Sequence, residues 1–205
     1  MRKHYLQLNT SLSGDTALSA RLAAEFVAAQ ATADRLAGIE VVTQVRDLAR
    51  DPLPHLTAER FQALTTPAQD RSDAQAAIAA ESDLLVAELQ AADVVVIGLP
   101  MYNFGIPSTL KAYFDHVARA GVTFKYTAQG PQGLLAGKKA VVIATRGGVY
   151  SGTPLDLQSA YVRQFLGFIG ITDVEFVYAE GLAMGPDARE AAVASATSRI
   201  ETLAA

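Results

Sequence analysis

The run Val94–Ile97 constrains the fold more than any other stretch of the chain. Its four consecutive residues are apolar, and segments with helical spacing of apolar residues precede and follow it. A strand that is apolar on both faces is typical of a central parallel strand covered by helices, whereas a half-exposed strand alternates. Because parallel strands need crossover connections, the run predicts an α/β sheet with helices on both faces.

Strand-like and helix-like segments alternate along the rest of the chain. We predict strands over residues 4–8, 39–45, 93–99, 140–145 and 174–178. Helical spacing predicts helices over 16–35, 57–64, 70–92, 107–120, 154–168 and 186–203. In the third helix, we expect the core-facing residues to be Ile78, Leu84, Leu85 and Leu89. Residues 122–138 interrupt the alternation and predict an irregular excursion over the sheet, in which a hairpin can form.

This alternation predicts a flavodoxin-like, doubly wound, five-stranded parallel sheet in the order 2-1-3-4-5. We expect a single domain over residues 1–205, because no linker, repeat or low-complexity tract divides the chain.

The composition excludes several classes of function. The net charge is −4 without a basic patch, which argues against nucleic acid as a partner. No apolar run approaches the roughly 20 residues that span a membrane, and no targeting segment is recognisable, so we expect a cytoplasmic protein without a membrane partner. The chain has no cysteine, which removes thiolate nucleophiles and cysteine-ligated metal sites.

The loops after strands 1, 3 and 4 are expected to meet at the carboxyl edge of the sheet, where ligands bind in such folds. The first of them, Asn9–Ser19 (the hydroxyl loop), leads into a helix and can bind an anion without lysine. It matches neither the Walker A nor the GxGxxG pattern. Alternatively, its hydroxyl groups only cap the helix. We expect Asp15 to point outward, because a carboxylate does not suit an anion site.

The other two loops suit a flat ligand. In Leu99–Pro107 (the aromatic loop), Tyr102 and Phe104 can flank a ring, and N–H groups near Asn103 can donate to it. In Thr145–Gly152 (the glycine loop), two adjacent glycines let the backbone approach a ligand closely. The alternatives are aromatic core packing, a plain loop, and an Arg146 that is a solvated charge or an ion-pair partner. Together, the loops suggest a site for the isoalloxazine ring of a flavin.

Several longer motifs extend this pattern. They are Pro100–Phe104, Tyr113–Asp115, Val117–Tyr126, Gly137–Ala140, Arg146–Gly148, Phe165–Ile171 and Ala179–Gly181. With them the chain resembles the FMN-dependent NADH:quinone oxidoreductases, the AzoR-type azoreductases of the flavodoxin-like superfamily. The resemblance implies one non-covalent FMN per subunit, NADH or NADPH as electron donor, and quinones and azo compounds as acceptors. It also implies a homodimer with its active sites at the interface.

The resemblance assigns the site residues by position. Ser11 and Ser19 correspond to ligands of the FMN phosphate, with backbone contacts from Ala17 and Leu18. The family often has Ser-Gln-Ser where this chain has Ala17-Leu18-Ser19, so two side-chain donors are missing here. The remaining cofactor contacts fall on Pro100, Met101, Tyr102, Asn103, Phe104, Thr145, Arg146, Gly147 and Gly148. Substrate contacts fall on Tyr126 from the excursion, on Phe168 from a partner subunit and on Tyr150.

The implied reaction is two-electron, hydride-type transfer through flavin N5 in ping-pong order, and it needs no protein nucleophile. We expect N–H groups at Asn103, Gly147 and Gly148 to stabilise the reduced flavin. A hydrolase is disfavoured, because there is no GxSxG motif and the only histidines are His4, His55 and His116. We interpret His116 as a surface or interface residue, and we expect no metal site. A non-enzymatic, flavodoxin-like electron carrier remains the alternative, and turnover of NADH would distinguish the two.

Overall fold

A computed structural model describes residues 1–204 of the chain, except for the side chain of Asp15. The predicted direction of that side chain therefore lies outside the described residues. Five parallel strands form one sheet in the order β2-β1-β3-β6-β7. Their bounds are Arg2–Asn9 (β1), Glu40–Asp47 (β2), Val94–Pro100 (β3), Lys139–Thr145 (β6) and Asp173–Ala179 (β7). Counted along the chain, this is the predicted order 2-1-3-4-5, so the predicted fold class is confirmed.

Within residues 1–204, six α-helices connect and follow the strands. Their bounds are Leu18–Leu36 (α1), Ala58–Thr65 (α2), Asp73–Ala91 (α3), Ser108–Val117 (α4), Leu157–Ile169 (α5) and Pro186–Ala204 (α6). Three of them differ from prediction by three residues at one end, for local reasons. Helix α3 begins at Asp73 rather than 70, because Ser72 accepts the Gln75 N–H and acts as its N-cap. Helix α4 ends at Val117 rather than 120, because the buried Thr123 hydroxyl donates to the Val117 carbonyl at 2.6 Å. Helix α5 begins at Leu157 rather than 154, because Asp156 accepts the Ser159 N–H and acts as its N-cap.

The hydrophobic core lies in two layers, one on each face of the sheet. Strands β3 and β6 are buried almost throughout and supply side chains to both layers. Helices α1 and α6 cover one face, whereas α3, α4 and α5 cover the other. The prediction that Leu84 faces the core is wrong, since its side chain is 58% exposed. Helical geometry turns neighbouring residues about 100° apart, and Leu85 takes the buried position.

His116 is also placed differently from its prediction. Its residue is only 1% exposed, and its Nδ1 donates to the Ala112 carbonyl one turn earlier at 2.8 Å. The amphipathic helix α4 turns this face toward α3, where the Ser82 hydroxyl donates to the His116 carbonyl at 2.6 Å. His116 is therefore a core residue rather than a surface or interface residue.

The predicted excursion contains a hairpin. Strands β4 (Phe124–Thr127) and β5 (Gly130–Gly133) pair antiparallel. The hairpin is fixed to the end of α5, because the Leu135 N–H donates to the Ile169 carbonyl at 2.9 Å. None of the helices within residues 1–204 combines the length and the apolar character needed to cross a bilayer.

Candidate cofactor-binding site

The sheet register brings the three loops to one edge. Asn9 pairs with Gly98, and Pro100 pairs with Thr145, so the strands before the loops end side by side. The Met101 N–H donates to the Thr145 carbonyl at 3.0 Å and joins the aromatic loop to the glycine loop. A Cβ at Gly98 would lie 3.0 Å from the Ser19 carbonyl oxygen. Glycine at this position therefore lets the start of α1 approach the sheet closely.

The aromatic loop is a tight turn with an unusual backbone. Tyr102 and Gly105 exchange hydrogen bonds of 3.1 and 2.9 Å, and the two residues between them have positive φ, 50° at Asn103 and 65° at Phe104. This is the conformation of a two-residue type I′ turn, in which Asn is favoured at the first position and Gly at the second. A phenylalanine there costs about 1–2 kcal/mol of backbone strain. The turn leaves 52% of Phe104 exposed.

A cavity of about 290 Å³ opens between the aromatic and glycine loops. It is lined by Met101, Asn103, Phe104, Gly147, Gly148 and Tyr150. Phe104 and Tyr150 meet edge to face, with ring centroids 5.8 Å apart. The structure thus brings together residues that the sequence placed in separate loops.

Several backbone N–H groups around this cavity have no partner within residues 1–204. The carbonyls of Arg146, Gly147 and Gly148 accept hydrogen bonds from the segment Gly181–Ala183, but the N–H groups of the two glycines do not donate to another described residue. The same holds for the N–H groups of Asn103 and Phe104, whereas that of Met101 is already used. Backbone N–H groups that can donate to a ligand therefore lie on two sides of the cavity, in the aromatic loop and in the glycine loop.

The hydroxyl loop is joined to the aromatic loop through Tyr102. The Tyr102 hydroxyl accepts the Leu12 N–H at 2.9 Å and lies 3.2 Å from the Ser11 hydroxyl oxygen. Helix α1 starts with Ala17 as its N-cap, so no side chain caps it. Within the described part of the chain, the N–H groups of Leu18 and Ser19 make no hydrogen bond. Uncapped N–H groups at a helix start suit an anion.

Arg146 lies behind the glycine loop rather than in the cavity. Its side chain is fully buried and pairs with Asp156 at 2.8 Å and Glu180 at 3.0 Å. Its N–H donates to the Ala179 carbonyl, so neither its side chain nor its N–H is free to bind a ligand directly. Of the two alternatives for this charge, the structure selects the ion pair. Burial alone would raise the pKa of Asp156, but hydrogen bonds from Arg146 and Ser159 hold it below its ordinary value.

The partners of Arg146 support both loops, a role that the sequence did not predict for them. Glu180 accepts the N–H groups of Tyr150 and Ser151 at 2.9 and 3.0 Å, which fixes the far end of the glycine loop. Gln158 donates to the carbonyls of Pro100 and Gly105. The only signal in the sequence was the segment Ala179–Gly181, which belongs to the resemblance.

Tyr126 and Phe168 form a separate aromatic cluster. Both contact Phe124, with centroid distances of 5.5 and 4.3 Å, and neither lines the cavity described above. Because the hairpin is fixed to the end of α5, the two side chains belong to one unit. The structure describes one chain, so the assignment of Tyr126 to the excursion and of Phe168 to a partner subunit stays a prediction.

No group of three or more His, Asp or Glu residues within the described residues could hold a metal ion. What the three loops can do is bind a flat ring with polar edges and an attached anion. A sheet of this order with such loops at its switch point defines the flavodoxin-like class of proteins. In agreement, the model of a family described as "Flavodoxin-like fold" matches residues 3–204.

Individual relatives narrow this class. An FMN-dependent NADH:quinone oxidoreductase from Cellvibrio japonicus is 54% identical over 196 residues, covering 96% of each chain. FMN-dependent NADH:quinone oxidoreductase 6 from Burkholderia lata is 55% identical over 195 residues, 95% of this chain and 96% of the relative. The crystal structure of an azoreductase from Bacillus anthracis has a TM-score of 0.86 and 31% identity, covering 100% of this chain and 99% of that one. The chain therefore belongs to the family of the FMN-dependent NADH:quinone oxidoreductases, as the sequence motifs predicted.

Proposed function

We propose that this protein is an FMN-dependent NADH oxidoreductase that reduces quinones and azo compounds. The observation that carries the proposal is the cavity between the aromatic and glycine loops, with its unpaired N–H groups. The similarity to the FMN-dependent NADH:quinone oxidoreductases from Cellvibrio japonicus and Burkholderia lata, and to the azoreductase from Bacillus anthracis, supports the same assignment.

The residues present fit FMN. The phosphate would lie at the start of α1, held by the hydroxyls of Ser11 and Ser19 and by the Leu18 N–H, whereas the Ala17 N–H already donates to the Gly14 carbonyl at 3.0 Å. The missing side-chain donors at Ala17 and Leu18 leave this role to backbone N–H groups, which are unpaired at Leu18 and Ser19 among the described residues. The ring would lie along Pro100, Met101, Tyr102, Asn103 and Phe104, with Thr145, Gly147 and Gly148 at its pyrimidine end.

When bound, FMN would supply two-electron, hydride-type transfer through N5 between the donor and the acceptor, in ping-pong order. The protein contributes placement and charge stabilisation. N–H groups at Asn103, Gly147 and Gly148 would donate to the edges of the ring where negative charge develops on reduction. Arg146 acts from behind, because its ion pairs hold the loop that presents these donors.

We further propose a homodimer in which the partner subunit completes the acceptor site. Tyr126 is 75% exposed and does not line the cavity of its own chain. Its placement on a hairpin that is fixed to the end of α5, the helix that carries Phe168, supports a role as an aromatic wall over the site of a second copy. Tyr150, which does line the cavity, would contact the acceptor from the chain's own side. A stacked aromatic pocket suits quinones and azo compounds alike.

The function is tested first by spectroscopy. The purified protein, reconstituted with FMN and desalted, should retain a flavin spectrum that bleaches with NADH and recovers when benzoquinone or methyl red is added. Parallel assays with NADPH measure the donor preference. A protein that binds FMN and bleaches with dithionite but not with NADH would instead be an electron carrier. A protein that retains no flavin would refute the proposal.

The shared site is tested by complementation between two impaired chains. Gly148→Val impairs the loops of its own chain, whereas Tyr126→Ala impairs the site of its neighbour. Re-associating an equal mixture should restore about a quarter of wild-type activity, because half of the dimers then contain one intact site. Sedimentation should report a dimer throughout. A monomer, or a mixture no more active than its components, would contradict the proposal.

We also propose that the chain acts as one domain, in the cytoplasm. The single domain is supported by the one sheet that separates both layers of the core. The cytoplasmic location is supported by the proposed use of NADH. Fractionation of expressing cells measures the location directly.

A further inference from the structure

Gln158, in the first turn of α5, connects the two loops that line the cavity. Its residue is 1% exposed. Its side-chain Nε2 donates to the Pro100 carbonyl at 2.8 Å and to the Gly105 carbonyl at 3.1 Å. Its Oε1 accepts from the Arg146 Nε at 3.3 Å. One amide thus contacts the residue that ends the Tyr102–Gly105 turn, the last residue of β3 before that turn, and the cation behind the glycine loop.

The start of α5 is built to hold this amide in place. Asp156 caps the helix and accepts from Arg146, and Ser159 accepts a second bond from the same guanidinium at 2.8 Å. Gln158 lies between these two residues in the chain. Its orientation is therefore fixed by the helix that carries it and by the cation that it contacts.

The Gln158 contacts bear on a strained turn. With both Asn103 and Phe104 at positive φ, the turn needs support from outside to persist. The two bonds from Gln158 Nε2 supply that support at the carbonyls that precede and end the turn. Without them, both carbonyls lose their described side-chain donor, and the Asn103 and Phe104 N–H groups lose their fixed direction toward the cavity.

We propose that Gln158 is a positioning residue that sets the distance between the aromatic and glycine loops, and thereby the affinity and reduction potential of the flavin. This inference rests on the proposed function, since the flavin is its readout. Gln158 itself does not touch the reacting atoms; it acts through Pro100, Gly105 and Arg146. Binding of reduced flavin should depend on Gln158 more than binding of oxidised flavin does, because the charge that the loop N–H groups stabilise develops on reduction.

The experiment compares three variants. Gln158→Met has similar length but removes all three hydrogen bonds. Gln158→Glu keeps an acceptor for Arg146 but cannot donate to Pro100 and Gly105 when it is ionised. Gln164→Met makes the same chemical change at an exposed position of the same helix and serves as the matched control. FMN affinity is measured by fluorescence titration, the two-electron potential by equilibration with a reference dye, and amide exchange of the flavin-free protein by NMR.

Both Gln158 variants should bind oxidised FMN at least tenfold more weakly than Gln164→Met. The affinity for reduced FMN should fall by about tenfold more than the affinity for oxidised FMN, which lowers the two-electron potential by about 30 mV. In flavin-free Gln158→Met, the amides of Tyr102 and Gly105 should exchange at least tenfold faster than in the control.

A purely structural role would lower the thermal stability of the Gln158 variants and leave affinity, potential and local exchange at control values, which would overturn the proposal. A Gln158→Glu protein that matches wild type would also overturn it, because the contact with Arg146 alone would then suffice. If wild type and Gln164→Met both fail to bind FMN, the proposed function fails. The exchange of Tyr102 and Gly105 then still decides whether Gln158 holds the turn.

Discussion

Replacing Arg146 by methionine should destabilise the flavin-free protein strongly, in a way that depends on pH. The guanidinium is fully buried, and the carboxylates of Asp156 and Glu180 beside it are only 8% and 11% exposed. Methionine fills similar space but leaves two carboxylates without their cation. The change therefore removes one partner from a buried ionic cluster rather than removing the cluster.

The expected loss of stability follows because only one partner of the cluster is removed. Breaking a buried ion pair by removing one partner costs about 3–5 kcal/mol, because the remaining charge is uncompensated. For a chain of this size, each kcal/mol shifts the melting temperature by about 2–4 °C, so Tm should fall by about 6–20 °C. The exposed ion pair between Arg199 and Glu175 provides the control, since both side chains are about half exposed. Arg199→Met should lower the free energy of unfolding by only about 0–1 kcal/mol.

The sign of the pH dependence separates charge from packing. In the wild type, the pKa of Asp156 is lowered from 3.8, so its contribution to stability is present above about pH 4 and is lost as the pH falls through the folded-state pKa. In Arg146→Met, burial without the cation raises that pKa. As the pH falls, protonation of Asp156 then removes its unpaired charge in the variant. The difference in the free energy of unfolding between wild type and variant should therefore be largest near pH 8 and should shrink toward pH 5.

The assay is urea unfolding of both flavin-free proteins, followed by far-ultraviolet circular dichroism, at pH 8, 7, 6 and 5. Arg199→Met is measured alongside at each pH. A gap for Arg146→Met below 1 kcal/mol would refute the charge argument. A large gap that stays constant with pH would show that lost packing, rather than unpaired carboxylates, accounts for the effect.

Three further predictions concern the turn, the glycine loop and the core. Phe104→Gly should be more stable than Phe104→Ala by about 1 kcal/mol in urea unfolding, because φ is 65° there; the reverse order would argue against the strained turn. A Cβ at Gly148 would lie 2.7 Å from the Tyr150 hydroxyl oxygen, so Gly148→Val should displace Tyr150 and weaken FMN binding at least tenfold in a fluorescence titration. Unchanged binding and turnover would remove Gly148 from the site. Tyr113→Phe should raise stability by about 1 kcal/mol, because its buried hydroxyl has no partner among the described residues; a less stable variant would reveal a partner.

The sheet could be predicted from sequence because its signals are local. Val94–Ile97 and the β6 strand are apolar on both faces, and a parallel order follows from the helices between them. The convergence of the three loops then follows from topology alone. The start of α2 is also set locally, since Thr57 accepts the Arg60 N–H and caps the helix within one residue of its predicted start.

The supports of the site could not be predicted in the same way. The sequence leaves Arg146 as either a solvated charge or an ion-pair partner until its partners are known, and Glu180 lies 34 residues away in the chain. The positive φ at Phe104 contradicts the preference of its residue type, and contacts from Gln158 and Tyr102 help to hold it there. The contact of the β4–β5 hairpin with the end of α5, which brings Tyr126 and Phe168 together around Phe124, also has no local signal in the sequence.

The cluster around Arg146 makes better sense as a positioning device than as a source of stability. Well-packed apolar residues often stabilise a core as much as, or more than, a buried ionic cluster of the same volume. This cluster, however, fixes backbone at two places: Glu180 holds the N–H groups of Tyr150 and Ser151, and Gln158 holds the carbonyls of Pro100 and Gly105. An apolar cluster could fill the same volume, but it could not direct backbone groups. A site that works through backbone donors, without a protein nucleophile, needs that direction.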